Sequence, residues 1–255
     1  MNPDPLRSPL AVHACPKELF QVIAQETQLQ LRVITRGVRL ATQIRPDGLV
    51  LHDDTRIHLP AAGLLLDPRR ICSVHSRRSG IEIDFTPTDH RLDFIPGDKR
   101  LAVIETLYGS EEIGEDQLRR MRAACSPCFI PCDCCRTAAS QRRMNASEHP
   151  LAIILASSHE LQITIRTLSY TFSQAHDSAR VRTAKGWIIT QSREDAVLKI
   201  DAGYLHAMSI GKQKLDGEWR PTLRAYDMLG REVLEISSPY LDDALRWQMI
   251  CETSP

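Results

Sequence analysis

The sequence predicts an α+β protein made of two tandem, diverged repeats, each an antiparallel β-sheet flanked by helices. Short segments in which apolar and polar residues alternate follow one another, with polar turns between them, which is typical of hairpin-connected strands. Long helical patterns between these segments, which parallel strands would require, are missing from both series. The series of strands also begins twice, at Leu29 and again at Leu161. These observations favour two antiparallel units in one chain.

The first predicted unit begins with a proline-rich arm and a short helix over residues 17–26, whose apolar residues share one stripe. Strands follow over residues 29–36 and 38–44, and a Pro-Asp-Gly turn at 46–48 ends this pair. Further short strands are predicted over residues 48–52, 56–59, 70–75, 81–85 and 91–95. A helical region over residues 99–121 closes the unit.

The second predicted unit repeats this plan after a segment rich in cysteine, serine and arginine. A short helix is expected over residues 148–157, and a terminal helix over 238–250. The strands between them are predicted over residues 161–166, 180–183, 186–190, 196–200, 205–210, 221–227 and 231–236. We therefore expect an N-terminal repeat over residues 1–122, a cysteine-rich linker over 123–148 and a C-terminal repeat over 149–255.

The two series resemble each other in pattern. LQLRVITRGVRLATQ in the first series corresponds to LQITIRTLSYTFSQ in the second. In both series an apolar strand then leads through a polar loop to a closing hairpin. Because the identity is low, the repeat is a prediction from pattern, and two unrelated runs of antiparallel strands are the alternative.

Charge and hydropathy narrow the class of protein. Lysine plus arginine and aspartate plus glutamate number 32 each, so the formal net charge is zero, and attraction to nucleic acid is not expected. The first residues lack the apolar core of a signal peptide, and no segment has the length of a membrane span. We therefore expect a cytoplasmic protein whose eight cysteines are thiols or metal ligands.

Three stretches carry a resemblance to a known family. PTLRAYDMLGREVLEI contains a strand, an Asp-x-x-Gly turn and a second strand, and GWIITQSREDAVLKIDAGYLHAMSI comes shortly before it. In the first series the stretch is LLLDPRRICSVHSRRSGIEIDFTPTDHRLDFIPGD. The chain resembles a diverged and shortened member of the bacterial hemin-transport and hemin-degrading family of the HemS, ChuS and HmuS type, over roughly residues 29–98 and 161–237.

The resemblance implies that each half is an antiparallel sheet flanked by helices. It also implies that heme is held in a cleft by one axial histidine, with arginines near the propionates. Heme donor or acceptor proteins are then the expected partners. Some members of the family degrade heme and others pass it on, so the resemblance leaves open whether the chain is an enzyme.

Three histidines are candidates for the iron ligand. His149, at a predicted helix start, is the best positional match to the family's ligand, and Glu148 is placed to hold its other ring nitrogen. His206 and His75 are further candidates, although each of the three also fits a core or surface role. Guanidinium groups suit the two propionates, and the candidates are Arg77, Arg78 and Arg224.

Five of the eight cysteines fall in one segment. Closely spaced thiolates chelate soft metals, which predicts a tetrahedral Zn²⁺ site or an iron–sulfur cluster. The candidate ligands are Cys125, Cys128, Cys132, Cys134 and Cys135. The usual second Cys-x-x-Cys pair is missing, so redox-active thiols and a cysteine-rich linker without a function stay open as alternatives.

Two hypotheses about function follow from the sequence. The first is a heme-binding and heme-trafficking protein of iron acquisition, with weak heme degradation left open. The second is a non-catalytic regulatory or interaction module with a metal-binding or redox-sensing cysteine linker. The type of ligand distinguishes them, since histidine binds heme in the first and cysteine binds metal in the second. The sequence leaves a homodimer open.

Overall fold

The computed structural model describes residues 10–12, 15–52, 55–77, 80–85, 90–96, 110–125, 131–215 and 217–253. The helices in these ranges are α1 (Pro16–Ile23), α2 (Glu115–Cys125), α3 (Asp133–Met144), α4 (Pro150–Ser157) and α5 (Asp243–Thr253). None of the helices in the described ranges is both long and apolar enough to cross a membrane.

The described strands fall into two series, as predicted. The first series is β1 (Leu10–Val12), β2 (Leu29–Ile34), β3 (Val38–Ile44), β4 (Val50–His52), β5 (Arg56–Leu59), β6 (Leu64–Leu66), β7 (Ile71–Arg77), β8 (Gly80–Phe85), β9 (Arg91–Pro96) and β10 (Ser110–Glu112). The second series is β11 (Glu160–Arg166), β12 (Tyr170–Ala184), β13 (Trp187–Ser192), β14 (Val197–Asp201), β15 (Ala207–Leu215), β16 (Glu218–Tyr226) and β17 (Glu232–Ser237). Neighbouring strands are antiparallel in both series, which confirms the predicted α+β class.

The chain divides into two compact units that differ slightly from the predicted boundaries. One unit, here called unit 1, contains Met1–Ile34 and Gln43–Cys128. The other, unit 2, contains Thr35–Thr42 and Phe129–Pro255. Most of strand β3 therefore belongs to unit 2, although it lies in the first series of the sequence.

The sheet of unit 1 is built around the meander β7–β8–β9. Strand β2 pairs with β9, with Leu31 opposite Phe94, and β1 pairs with both β7 and β10. Helix α1 covers this sheet with the apolar stripe that the sequence predicts, since Leu19, Phe20 and Ile23 are all fully buried. The rings of Phe20 and Phe94 meet edge to face with centroids 5.7 Å apart, a favoured geometry for an aromatic pair.

The strands of unit 2 form two connected runs. The run β11–β12–β13–β14 ends on β3, where Leu198 lies opposite Leu40. The run β15–β16–β17 ends on β11, where Ile236 lies opposite Ile163. Helix α5 buries Trp247, whose indole N–H donates to the hydroxyl of Ser158 at 3.2 Å.

The same turn opens both series. The Thr35 hydroxyl donates to the carbonyl of Val38 and accepts from its N–H. Thr167 makes the same two bonds with Tyr170. In each unit the first strand after the helix also pairs with the closing strand of the meander, β2 with β9 and β11 with β17. These shared features support the repeat, which stays a prediction because they cover only part of each unit.

Three predicted segments differ from the structure in whole or in part. The region predicted as a linker contains helix α3, because its alanines, glutamine and arginines favour helix. Strand β12 runs unbroken for 15 residues, whereas the sequence predicts a strand only over its second part. Of the predicted helix over residues 99–121, helix α2 confirms the part from Glu115 onward, residues 110–112 form strand β10 instead, and residues 97–109 lie outside the described ranges.

Within unit 2, the C-terminal end of helix α3 is fixed to the end of strand β14. The guanidinium of Arg143 forms two hydrogen bonds with the carboxylate of Asp201, at 2.8 and 2.9 Å. Two glycines leave room for this contact. A Cβ atom on Gly186 would lie 2.7 Å from the Arg143 side chain, and one on Gly203 would lie 2.7 Å from the carbonyl of Ala139. The position of α3 is therefore set by close backbone approach.

Candidate functional site

His149 lies at the start of helix α4, as the sequence predicts. It is the N-cap residue in extended conformation, and Pro150 occupies the first helical position, where its missing N–H costs nothing. The ring Nδ1 accepts a hydrogen bond from the backbone N–H of Leu151 at 3.2 Å. The predicted orienting residue, Glu148, is exposed, and the backbone of Leu151 takes the place expected for it at Nδ1.

The imidazole of His149 is neutral at physiological pH. Its pKa is lowered to about 4, first by burial and next by the positive charge of Arg142. A ring that accepts at Nδ1 carries its proton on Nε2. A neutral imidazole is the form that binds a metal, but binding through Nε2 requires the proton to move to Nδ1 or to leave.

Arg142 is a neighbour of His149 that the sequence analysis missed. It lies in the last turn of α3, inside the segment predicted as a linker, and its Nε is buried without a hydrogen-bond partner among the described residues. Burial lowers the pKa of its guanidinium. Adjacent Arg143 is paired with Asp201, so the two arginines have different surroundings although the sequence presents them as one pair.

The other two candidate histidines have different environments. His206 is exposed just before β15, and its backbone N–H donates to the carbonyl of Tyr226. His75 is fully buried in β7, and its Nε2 lies 2.8 Å from the hydroxyl of Ser73 and 3.4 Å from a carboxylate oxygen of Asp84. A heme iron has no access to a ring in the position of His75.

Two of the three predicted propionate-binding arginines are occupied by carboxylates. The Arg77 guanidinium is paired with Glu82 at 2.7 Å and with Glu115. The Arg224 guanidinium is paired with Glu235 at 2.9 Å and donates to Gln213 at 2.6 Å. Arg78 lies outside the described residues. Binding a propionate at Arg77 or Arg224 would therefore require the exchange of one carboxylate for another.

The surroundings of Arg77 form a dense ionic cluster in unit 1. Arg122 of α2 contacts Glu82 at 2.6 Å and Asp84 at 3.0 Å, and Arg91 contacts Asp93 at 2.7 Å. Burial raises the pKa of Asp93 to about 6. The charges largely neutralise one another, so this cluster joins α2 to the sheet and presents no surplus charge to a ligand.

Unit 2 contains one further buried histidine, His176, beside a cavity of about 230 Å³. Its Nε2 lies 3.1 Å from the hydroxyl of Thr190, and burial lowers its pKa. The cavity is smaller than the roughly 300 Å³ at which pockets for drug-sized ligands begin. We assign His176 a structural role.

Three of the five candidate metal-binding cysteines lie together at the start of α3. The sulfur atoms of Cys132, Cys134 and Cys135 all lie within 4.8 Å of one another. Cys128 and the side chain of Cys125 lie outside the described residues. The predicted ligands thus fall into separate groups: His75 and Arg77 in unit 1, and His149, His206, Arg224 and the three cysteines in unit 2.

Comparison with known proteins places the fold. No family model matches the chain, and no curated protein sequence matches it. Three solved structures each cover 97% of this chain. The first is the heme degrading enzyme ChuS of Escherichia coli O157:H7, with a TM-score of 0.70, 10% identity and 87% of that chain covered. The second is apo-PhuS, a heme-binding protein of Pseudomonas aeruginosa, with a TM-score of 0.68, 9% identity and 87% of that chain covered. The third is ChuS, described as an E. coli heme oxygenase, with a TM-score of 0.67, 9% identity and 89% of that chain covered. The chain therefore has the fold of ChuS and PhuS, which confirms at the level of the fold the resemblance drawn from its sequence.

Proposed function

We propose that the chain binds heme and passes it to an acceptor protein. The observation that carries this proposal is the likeness of fold over 97% of the chain to proteins described as heme-binding and heme-degrading. The proposal adds to that likeness a specific ligand, His149, and a specific cation, Arg142. Both are residues of unit 2.

The residues around His149 suit a heme in charge and protonation. The imidazole is neutral, as an iron ligand must be. The Nε of Arg142 is buried without a partner in the described part of the chain, and a guanidinium in that state gains from an anionic oxygen. A propionate supplies such an oxygen. Arg142 is therefore a better candidate for this role than Arg77 or Arg224, whose guanidinium groups already have carboxylate partners.

The hydrogen bond by which His149 caps helix α4 favours transfer of heme over its permanent retention. Coordination through Nε2 requires the proton on that atom to move or to leave, and when it moves to Nδ1 the ring gives up the hydrogen bond that Nδ1 accepts from Leu151. A hydrogen bond of this kind contributes about 1 kcal/mol. The cost reduces heme affinity by roughly fivefold and favours release to an acceptor.

A hemin titration tests the ligand. The wild-type chain should give a saturable Soret band with one equivalent of hemin, and His149→Ala should lose that band. His206→Ala is the matched control, because it removes an exposed imidazole from the same unit and should titrate like the wild type. Circular dichroism of all three proteins shows whether the fold is kept.

Two further measurements separate the outcomes. If His149→Ala and the wild type bind hemin with equal affinity, His149 is not the ligand. To distinguish transfer from degradation, the hemin complex is mixed with an apoprotein of higher heme affinity, or with an electron donor in air. Transfer moves the Soret band to the acceptor intact, whereas loss of the band with the electron donor alone indicates degradation.

A further inference from the structure

The N-terminus of helix α3 brings three thiols together. Cys132 is the N-cap residue, Asp133 is the first helical residue, and Cys134 and Cys135 follow. An N-cap side chain in extended conformation turns back over the second and third helical residues, which are the two cysteines. Local helix geometry therefore explains why the three sulfurs lie within 4.8 Å of one another.

The spacing of the sulfurs suits one metal ion. With metal–sulfur bonds of about 2.3 Å, sulfurs around one ion lie about 3.8 Å apart in a tetrahedron and about 4.0 Å apart in a plane. The Cys132 and Cys134 sulfurs are 2.7 Å apart and must separate by about an ångström to reach that spacing. Both residues are exposed, so small side-chain rotations at the surface are enough.

The donors at this site are of one chemical type. Among the described residues, the group that converges within metal-binding distance consists of three thiols, without a carboxylate or an imidazole. Thiolate ligands select soft ions such as Cu(I) and Zn(II) over Mg²⁺ or Ca²⁺. Zn²⁺ prefers four ligands, whereas three sulfurs leave one position open to solvent.

The electrostatics of the site favour a thiolate at Cys132. The pKa of Cys132 is lowered to about 7, first by its contact with the Cys134 thiol and next by the backbone N–H of Cys135. The pKa of Cys135 is raised to about 11, first by its contact with Cys132. The helix N-terminus stabilises negative charge, and the charge of Arg142 reaches Cys135. A bound cation removes the repulsion between thiolates and releases up to three protons to solvent.

We propose that Cys132, Cys134 and Cys135 form a three-thiolate site for a soft metal ion, with Cu(I) preferred to Zn(II). The site is complete without Cys125 and Cys128, unlike the four-ligand site predicted from the sequence. Its ligands differ from those proposed for heme, since its donors are sulfurs and the proposed iron ligand is His149, although the charge of Arg142 acts on both His149 and Cys135. A disulfide is the competing chemistry, but it would join two of the sulfurs and leave the third unused.

Metal titration of the reduced, metal-free full-length chain tests the site. Cu(I) and, separately, Zn(II) are added against a chromogenic chelator, with thiolate-to-metal absorbance in the ultraviolet as the second readout. The wild type should bind one Cu(I) more tightly than one Zn(II). Cys132→Ser, Cys134→Ser and Cys135→Ser should each weaken Cu(I) binding by more than about 100-fold, because each removes a direct ligand.

Two matched variants test whether other thiols of the chain bind the metal ion. Cys251→Ser, in α5, should bind Cu(I) like the wild type, and so should the double variant Cys125→Ser/Cys128→Ser. Loss of tight binding in the double variant overturns the three-thiolate site, and so does a wild-type chain that binds neither ion and instead loses two thiols to a disulfide in air. A hemin titration of Cys132→Ser should match the wild type, which separates this proposal from the proposed heme function.

Discussion

The protonation of His149 is set by one neighbouring residue and by burial. Burial and, to a smaller extent, the charge of Arg142 together hold the pKa near 4. Arg142→Gln should therefore raise the pKa of His149, measured by NMR titration of the ring. Arg143→Gln is the matched control, because that guanidinium is paired with Asp201. Equal shifts in both variants would show that general surface charge, rather than Arg142, sets the value.

The same pKa fixes a pH dependence of stability. The folded value near 4 lies below the ordinary value of 6.5, so between these pH values the unfolded chain takes up a proton that the folded chain refuses. The contribution of His149 to the free energy of unfolding therefore falls as the pH decreases from about 6.5 to 4. In Arg142→Gln this loss should still begin near pH 6.5, because the unfolded value is unchanged, but it should end at a higher pH and be smaller in total.

Single residues also show what can and cannot be predicted from the sequence. The sequence predicts His149 correctly as a helix-start histidine, because His-Pro followed by an apolar run is a local signal. It cannot show that Arg77 is paired with Glu115 or that Arg224 is paired with Glu235, since those partners lie on other elements. The importance of Arg142 depends on burial, which no local pattern in a polar segment reveals.

Among the elements, the paired threonine turns give a direct test of the repeat. Thr35→Val and Thr167→Val keep the β-branched shape but remove the two shared hydrogen bonds of each turn, and Thr167→Val also removes a third, which the hydroxyl accepts from the N–H of Ser169. Each variant should lower the free energy of unfolding by about 1–3 kcal/mol, measured by urea denaturation. Thr55→Val, an exposed threonine with one long hydrogen bond of 3.4 Å, should change it by less than about 0.5 kcal/mol.

A clear difference between Thr35→Val and Thr167→Val would count against equivalent turns. The corresponding stretches LQLRVIT and LQITIRT end at Thr35 and Thr167, but the sequence predicts neither turn. It does not predict the length of β12, since a strand that changes its partner from β11 to β13 along its length does not keep one alternating pattern. Helix α1 and strand β2, which bury one face, were predicted, whereas the first part of β12 was not.

At the scale of the whole molecule, the least expected feature is which residues make up unit 2. Thr35–Thr42 belong to unit 2, although they lie far from its other residues in the sequence. Strand β3 pairs with β14 over four positions, and Val38 and Leu40 are buried. The Gln174 amide also donates to the hydroxyl of Thr42 at 2.7 Å. A pattern within one segment predicts a strand but not its partner. The predicted boundary at residue 122 therefore does not show that most of β3 belongs to unit 2.

A fragment of residues 129–255 should therefore be incomplete. Without β3, the edge of β14 has unpaired backbone groups and loses the apolar contacts of Leu40 with the sheet, and exposed strand edges favour aggregation. The fragment should melt at a lower temperature than the same fragment fused through a flexible linker to residues 35–44, as measured by circular dichroism. Leu40→Asp in the fused segment should abolish the gain, because a carboxylate cannot be buried there without a partner. If the fragment melts alike with and without residues 35–44, β3 is not an integral strand of unit 2, and the boundary predicted from the sequence describes the folding units better.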